Sequence, residues 1–250
     1  MRILVSNDDG VNAPGLEVLE RIAAVLSDDV WVVAPETEQS GASHSLTLHR
    51  PLRVRRIGER RMAIDGTPTD CVMLAINELI PGERPALMLS GVNRGSNVAD
   101  DVTYSGTIAA AMEATLLGVP AIALSQHYGG DAAVKWETAE RHAPELIRRL
   151  IDTGWPDDVM INVNFPDAAP DSVGGVAVSR QGRRKFGDVL SERIDPRGRP
   201  YYWIGDMRNR DEDIPGSDVE ALGQGAIAVT PLCLDLTHGP TSRALREALK

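Results

Sequence analysis

Met1-Arg-Ile-Leu-Val-Ser-Asn-Asp-Asp-Gly10 sets an apolar run against an abrupt polar stop. Ile3, Leu4 and Val5 are β-rich and do not alternate with polar residues, the pattern of a strand covered on both faces. The run ends in Asn7, Asp8, Asp9 and Gly10, all turn formers. Pro14 and Gly15 follow, after which Leu16, Leu19, Ile22, Ala23 and Leu26 recur at helical spacing. Strand, polar turn and helix are the opening of an α/β unit. In open α/β sheets, ligands bind beyond the carboxyl ends of the strands, where Asp8 and Asp9 fall. The pair reads two ways. It is a solvated turn whose acids favour the positive end of the next helix, or a seat for a hard divalent cation, which takes carboxylate oxygens and keeps several waters.

Outward from this opening the pattern repeats. Asp29 to Pro35 (Asp-Val-Trp-Val-Val-Ala-Pro) predicts a second buried strand, followed by a polar loop from Glu36 to Ser45. Leu46 to Leu48, Leu52 to Ile57 and Met62 to Ile64 read as shorter, partly exposed β segments. The arginines among them (Arg50, Arg53, Arg55, Arg56, Arg60 and Arg61) suit strand edges that must resist edge-to-edge pairing. Thr67 as N-cap and Pro68 at the first helical position open a helix through Cys71, Leu74, Ala75 and Leu79. Pro85 to Ser90 predicts a third strand, breaking into a Gly- and Asn-rich loop from Gly91 to Asn97. Ser105-Gly-Thr107 leads into a helix from Ile108 to Leu117. Strands over Pro120 to Ser125 and Val159 to Phe165, with a helix from Trp136 to Ile151 between them, continue the alternation. The expected fold class is therefore α/β, a Rossmann-like, doubly wound, largely parallel sheet.

From about Gly174 the texture changes. Val176 to Ser179, Tyr201 to Ile204 and Ala226 to Leu232 are β-like and separated by charged, Gly-rich stretches. This predicts a C-terminal β-hairpin extension of the kind that embraces a second subunit. No internal repeat or linker is visible, so residues 1–250 are expected to form a single domain, about 1–173 as the core and about 174–250 as the β-rich extension.

With 42% hydrophobic residues the chain can bury a real core, and 25% charged residues argue against disorder over most of the length. A formal net charge of -10 argues against a general nucleic-acid or anionic-membrane surface. It leaves room for a small phosphorylated substrate, because a cation reverses the sign locally. No signal peptide is expected, nor an apolar run approaching the ~18 residues of a membrane span, and the two cysteines, Cys71 and Cys233, suit a reducing cytoplasm. Both cysteines are expected to be buried small hydrophobes.

Polar loops follow successive strands at one predicted edge: Asn7 to Gly10, Gln39 to Ser45 and Gly91 to Asn97. Together they offer two carboxylates and several neutral oxygens, a set without His or Cys that disfavours zinc and favours Mg²⁺, Mn²⁺ or Ca²⁺. Ser105-Gly-Thr107, at the start of an Ala-rich helix, supplies N–H groups with no intrahelical partner, suited to a phosphate oxyanion. The alternative is that Ser105 or Thr107 simply caps the helix. His44 is expected to be a structural hydrogen bonder, and Trp31, Trp136 and Trp155 packing residues, whereas Trp203 lies in the predicted hairpin. No Walker-type phosphate loop, dinucleotide fingerprint or Gly-x-Ser-x-Gly elbow is present.

Four blocks resemble the SurE survival-protein family of metal-dependent 5'-nucleotidases. They are Met1 to Gly10 with Ala13-Pro-Gly15, Val33-Ala-Pro35 with Ser40-Gly-Ala42, Gly66-Thr-Pro-Thr-Asp-Cys71, and Ser90-Gly-Val-Asn93-x-Gly95-x-Asn97 with Tyr104-Ser-Gly-Thr107. Val229-Thr-Pro-Leu232 and Asp235-Leu-Thr237 resemble its C-terminal strand. The resemblance implies a phosphoric monoester hydrolase that converts nucleoside 5'-monophosphates to nucleoside and phosphate, with 3'-monophosphates and short polyphosphate as further substrates of family members. It implies one divalent cation per subunit, with Asp8, Asp9, Ser40 and Asn93 as ligands. Asn97, Ser105, Gly106 and Thr107 would lie on the phosphate side, and Asp8, Asp9 and Asn97 would carry the catalysis. It also implies a cytoplasmic homodimer or homotetramer with an exchanged C-terminal segment, binding neither nucleic acid nor membrane. Two rival readings remain: a covalent aspartyl-phosphate route through Asp8, and a metal-dependent nucleotide-sensing module without turnover.

Overall fold

Strand β1 (Arg2–Ser6) lies at the middle of the sheet because Ile3, Leu4 and Val5 leave it no face for water; all three are fully buried. The structure is a computed structural model that describes residues 1–129, 133–185, 190–204, 210–211 and 214–250. In chain order, α1 (Pro14–Leu26) and β2 (Asp29–Pro35) follow β1, then β3 (Val54–Arg56), β4 (Arg61–Ile64) and α2 (Pro68–Leu74). Next come β5 (Leu87–Arg94), α3 (Gly106–Leu116), β6 (Ala121–Gln126), α4 (Trp136–Thr153), β7 (Val159–Phe165) and β8 (Val176–Val178). Short strands β9 (Arg184–Lys185), β10 (Leu190–Ile194), β11 (Pro200–Ile204) and β12 (Arg210–Asp211) precede α5 (Asp218–Gly223), β13 (Ile227–Cys233) and α6 (Gly239–Ala248).

The nine-stranded sheet has the order β3-β4-β2-β1-β5-β6-β7-β13-β8. Strands β4, β2, β1, β5, β6 and β7 run parallel. The chain winds outward from β1 to β2 and β4, then returns to β1's other side for β5, β6 and β7. That reversal between β1 and β5 is the switch point at which doubly wound sheets open a crevice for ligands. Ile3 and Val5 face α1 and α4 on one side, while Leu4 faces α2 and α3 on the other. Helix α2 begins with a capping box: Thr67 accepts from the Asp70 N–H and Asp70 accepts from the Thr67 N–H. At the open edge, β3 carries Arg55 paired with Glu36, in keeping with charges that protect an edge strand.

Several expectations are corrected. Leu46 to Leu48 form no strand, and Met62 to Ile64 are buried because β4 pairs parallel with β2 beneath α2. The third strand does not end at Ser90; it runs to Arg94 through an irregular register between Ser90 and Asn93. Gly91, at φ 129° and with no room for a Cβ against the Leu124 carbonyl, makes that continuation possible. Val176 to Val178 and Ile227 to Cys233 are strands of the main sheet, whereas β10 and β11 lie outside it. Cys71 is buried, but Cys233 is exposed, because alternation along the end of β13 turns Leu232 inward and Cys233 out. In the excursion β10 and β11 pair as an antiparallel hairpin with Ser191 opposite Trp203. Among the described residues no helix is long and apolar enough to cross a membrane.

Candidate active site

The turn after β1 places Asp8 and Asp9 at the switch point. Asn7 fixes the turn by donating from Nδ2 to the Gly10 carbonyl at 3.0 Å, and its Oδ1 is buried without a partner. Asp8 is only 4% exposed. Thr107 Oγ1 donates to Asp8 Oδ1 at 2.5 Å, which brings the start of α3 onto the carboxylate. The approach depends on Gly106, where an added Cβ would stand 2.7 Å from the Asp8 Cβ. Burial pushes the Asp8 carboxyl up, opposed by the Thr107 hydroxyl and by the amides at the start of α3. Asp9 is pushed up to about 6, chiefly by burial and then by the charge of Asp8.

Two further loops close on this turn. The Gln39 N–H donates to the Asp8 carbonyl at 2.8 Å, carrying Ser40 to the site, and Ser40 Oγ donates to Glu38 Oε1 at 2.9 Å. Because that hydroxyl donates, its lone pairs remain for another group. The Arg94 N–H points at Asp9 Oδ2 at 3.4 Å, which sets Asn93 next to the acids. Asn93 Nδ2 donates to the Gly95 carbonyl at 3.0 Å, a bond that does not engage its amide oxygen. Among the described residues no group of three His, Cys, Asp or Glu side chains gathers to hold a metal. A cation here would therefore draw on two carboxylates and neutral oxygens, the donor chemistry of Mg²⁺, Mn²⁺ or Ca²⁺.

Asn97, expected on the phosphate side, is held on every polar group of its backbone. Its N–H donates to Asn164 Oδ1 at 2.8 Å, and its carbonyl accepts from Asn162 Nδ2 at 2.7 Å and Asn164 Nδ2 at 3.2 Å. Its side-chain Nδ2 donates to Ser125 Oγ at 2.8 Å. The sequence reading missed this clamp. Its signal was present, since Asn162 and Asn164 lie two apart, and so on one face of an otherwise apolar strand. Ser105 Oγ accepts from the Ile108 N–H at 3.1 Å, so it caps α3 as the plainer reading had it. The Thr107 hydroxyl faces Asp8 rather than open space. His44 Nε2 lies 2.9 Å from Glu113 Oε2.

The family model for the survival protein SurE matches residues 3–188. The chain belongs to the SurE family. A SurE relative from Paramagnetospirillum magneticum, named 5'-nucleotidase SurE, is 60% identical over 99% of this chain and 95% of its own. Another SurE relative of the same name, from Parvibaculum lavamentivorans, is 56% identical over 100% of this chain and 91% of its own. The crystal structure of the SurE protein from Aquifex aeolicus superposes with a TM-score of 0.85 at 35% identity, covering both chains completely. The α/β fold with its largely parallel sheet is thus the SurE fold.

Proposed function

We propose that this SurE chain is a phosphoric monoester hydrolase that converts nucleoside 5'-monophosphates to nucleoside and inorganic phosphate. One divalent cation, Mg²⁺, Mn²⁺ or Ca²⁺, would be held by Asp8, Asp9, Ser40 and Asn93. The observation that carries the reading is the buried Asp8 at the switch point, adjacent to a second raised carboxyl and served by α3. Two neighbouring acids out of water are costly until a positive charge joins them, and the donors around them are all oxygens. The residues therefore fit such a cation.

When bound, the cation supplies Lewis-acid polarisation of the phosphate and activation of water. The chain's own residues do the rest. Thr107 orients Asp8, and Ser105 fixes the start of α3, whose positive end faces the anion. Asn97, Ser105, Gly106 and Thr107 line the phosphate side, where pre-set donors favour the charge that develops as water attacks phosphorus. The water oxygen bonds to phosphorus as the ester P–O bond breaks, and the departing nucleoside oxygen takes up a proton from solvent. Asp9 is assigned the proton of the attacking water. Nucleoside 3'-monophosphates and short polyphosphate present the same terminal phosphate and are proposed as further substrates.

The proposal extends to assembly. Trp203 and Ile204 on β11 are 65% and 79% exposed, and an isolated two-stranded hairpin is marginal in water. A homodimer or homotetramer formed through the C-terminal segment would cover them. Catalysis is tested by phosphate release from a panel of 5'- and 3'-monophosphates, with and without Mg²⁺ or Mn²⁺, beside Asp8→Asn and Asp9→Asn. Metal-dependent release lost in both variants is expected. Saturable nucleotide binding with no release under any metal would make the protein a sensor, and release that survives chelation would remove the metal site.

A further inference from the structure

Ala99 stands between the two parts of the phosphate side, after the Asn97 clamp and before the turn that leads to Ser105. It is fully buried and adopts φ 52°, a left-handed conformation that a residue with a Cβ rarely takes. Such a conformation persists where the surroundings fix the backbone on both sides. Here they do. The Ala99 N–H donates to Asp218 Oδ2 at 3.0 Å, and the Ala99 carbonyl accepts from Gln181 Nε2 at 2.8 Å.

Asp218 is itself fully buried and has two other obligations. Its Oδ1 accepts from the Gly182 N–H at 2.8 Å and the Val219 N–H at 2.9 Å. Residues 180–182 and 216–218 are the neck where the chain leaves for the hairpin excursion and returns. Their backbones are tied together, the Arg180 N–H to the Gly216 carbonyl and the Asp218 N–H to the Arg180 carbonyl, both at 2.9 Å. One buried carboxylate thus joins the neck of the excursion to the loop that carries Asn97.

We propose that Asp218, assisted by Gln181, is a positioning residue for the phosphate side of the site: it holds Ala99 left-handed and so sets where Asn97 stands. The inference rests on the phosphate-side reading given under Proposed function. It assigns no role in holding the cation, because Asp8, Asp9, Ser40 and Asn93 all stand outside this grip.

Asp218→Asn is the direct test. Whichever way the new amide turns, an N–H group faces at least one of the three N–H donors that the carboxylate served. A displacement of ~1 Å at the phosphate costs up to about 100-fold, so kcat is expected to fall about 10- to 100-fold. The metal concentration for half-activation should stay within about twofold of the parent's, and binding of inorganic phosphate in Mn²⁺, read by calorimetry, should weaken. Gln181→Ala removes the other grip, should lower kcat less, and carries the test if Asp218→Asn does not fold. Adding Ala99→Gly to Asp218→Asn should restore part of the lost kcat, since glycine takes the left-handed conformation unaided; a residue that mattered only for stability would show no such rescue.

The proposal is overturned if folded Asp218→Asn and Gln181→Ala match the parent in kcat, KM and phosphate binding, or if the half-activating metal concentration rises in step with the loss of kcat. A parent that releases no phosphate but binds it would sink the hydrolase reading alone, because phosphate binding still reports on Asp218. A parent that binds no phosphate at all overturns both.

Discussion

Two regions break the rule of apolar inside and polar outside, in opposite directions. At the carboxyl edge of the sheet the chain buries Asn7, Asp8, Asn97, Thr107, Asn162 and Asn164. In the hairpin it leaves Leu190, Ile194, Tyr202, Trp203 and Ile204 in water. The first region is short of positive charge and the second is short of apolar cover. Neither lack is met from within the described residues, and departures from local consistency of this kind gather where a protein meets something outside itself. Under the proposed function the difference lies in what each would receive: an ion and an anion at the edge, another protein surface at the hairpin.

Removing the charge at the edge should have the largest effect. Asp8→Asn is expected to lower phosphate release by at least about 100-fold, the scale of losing one pre-set electrostatic element. The metal-free protein should nevertheless melt higher than the parent. Burial raises the folded Asp8 carboxyl, so its ionised form at neutral pH costs stability relative to the unfolded chain, and the amide removes that cost. Thermal melts with and without Mn²⁺ read both halves: the variant should start higher and gain less from metal. A lower metal-free melting temperature would make Asp8 a structural residue and end the comparison on the polar side.

The apolar side is tested by Trp203→Glu with Ile204→Lys. An aromatic anchor at an interface is worth about 2 kcal/mol or more when truncated, so light scattering should find a smaller assembly at micromolar protein. Exposed positions of the isolated chain tolerate substitution within about 0.5 kcal/mol, so denaturant unfolding of the dissociated subunit should barely change. If the assembly is unaffected, the hairpin's exposure has another cause. Gly106→Ala is expected to act less strongly, because the added methyl, 2.7 Å from the Asp8 Cβ, forces a local shift but leaves both carboxylates in place. Overpacking of this kind costs about 1–3 kcal/mol, and kcat should fall about tenfold while the fold persists by circular dichroism.

What was legible in the sequence follows from range. The buried strand at Val159–Phe165 and the Thr67 cap could be read because their signals are local: a mostly apolar β-rich run, and a threonine directly before a proline. Asp8 and Asp9 stood out because the strand before them ends so sharply. The continuation of β5 past Ser90 was hidden, since Gly91 looks like a stop and serves here as an irregular passage. The burial of Met62 to Ile64 depended on a partner strand and a covering helix, which a four-residue segment does not announce. The Asn162 and Asn164 grip on Asn97 and the Asp218 grip on Ala99 join residues far apart in sequence. Their chemistry was visible, but their targets were not.

The smallest expected effect separates the buried acids from an ordinary surface pair by the sign of a slope. Asp29 has its carboxyl lowered, first by the hydrogen bond from Arg2, so its contribution is present above the unfolded value of 3.8 and fades only as pH falls below it. Asp9 is raised from 3.8 to about 6, so in that interval the folded metal-free chain binds more protons than the unfolded one, and stability falls as pH rises. Asp8 acts in the same direction. The metal-free melting temperature should therefore decline across that window, and Asp9→Asn should flatten the decline. Saturating Mn²⁺ should reverse it, because the cation binds the ionised carboxylates and competes with protons for them. A metal-free melting temperature that stays level or rises with pH through the same window would mean that the edge acids are already satisfied from within the chain, and the two breaches would no longer be of one kind.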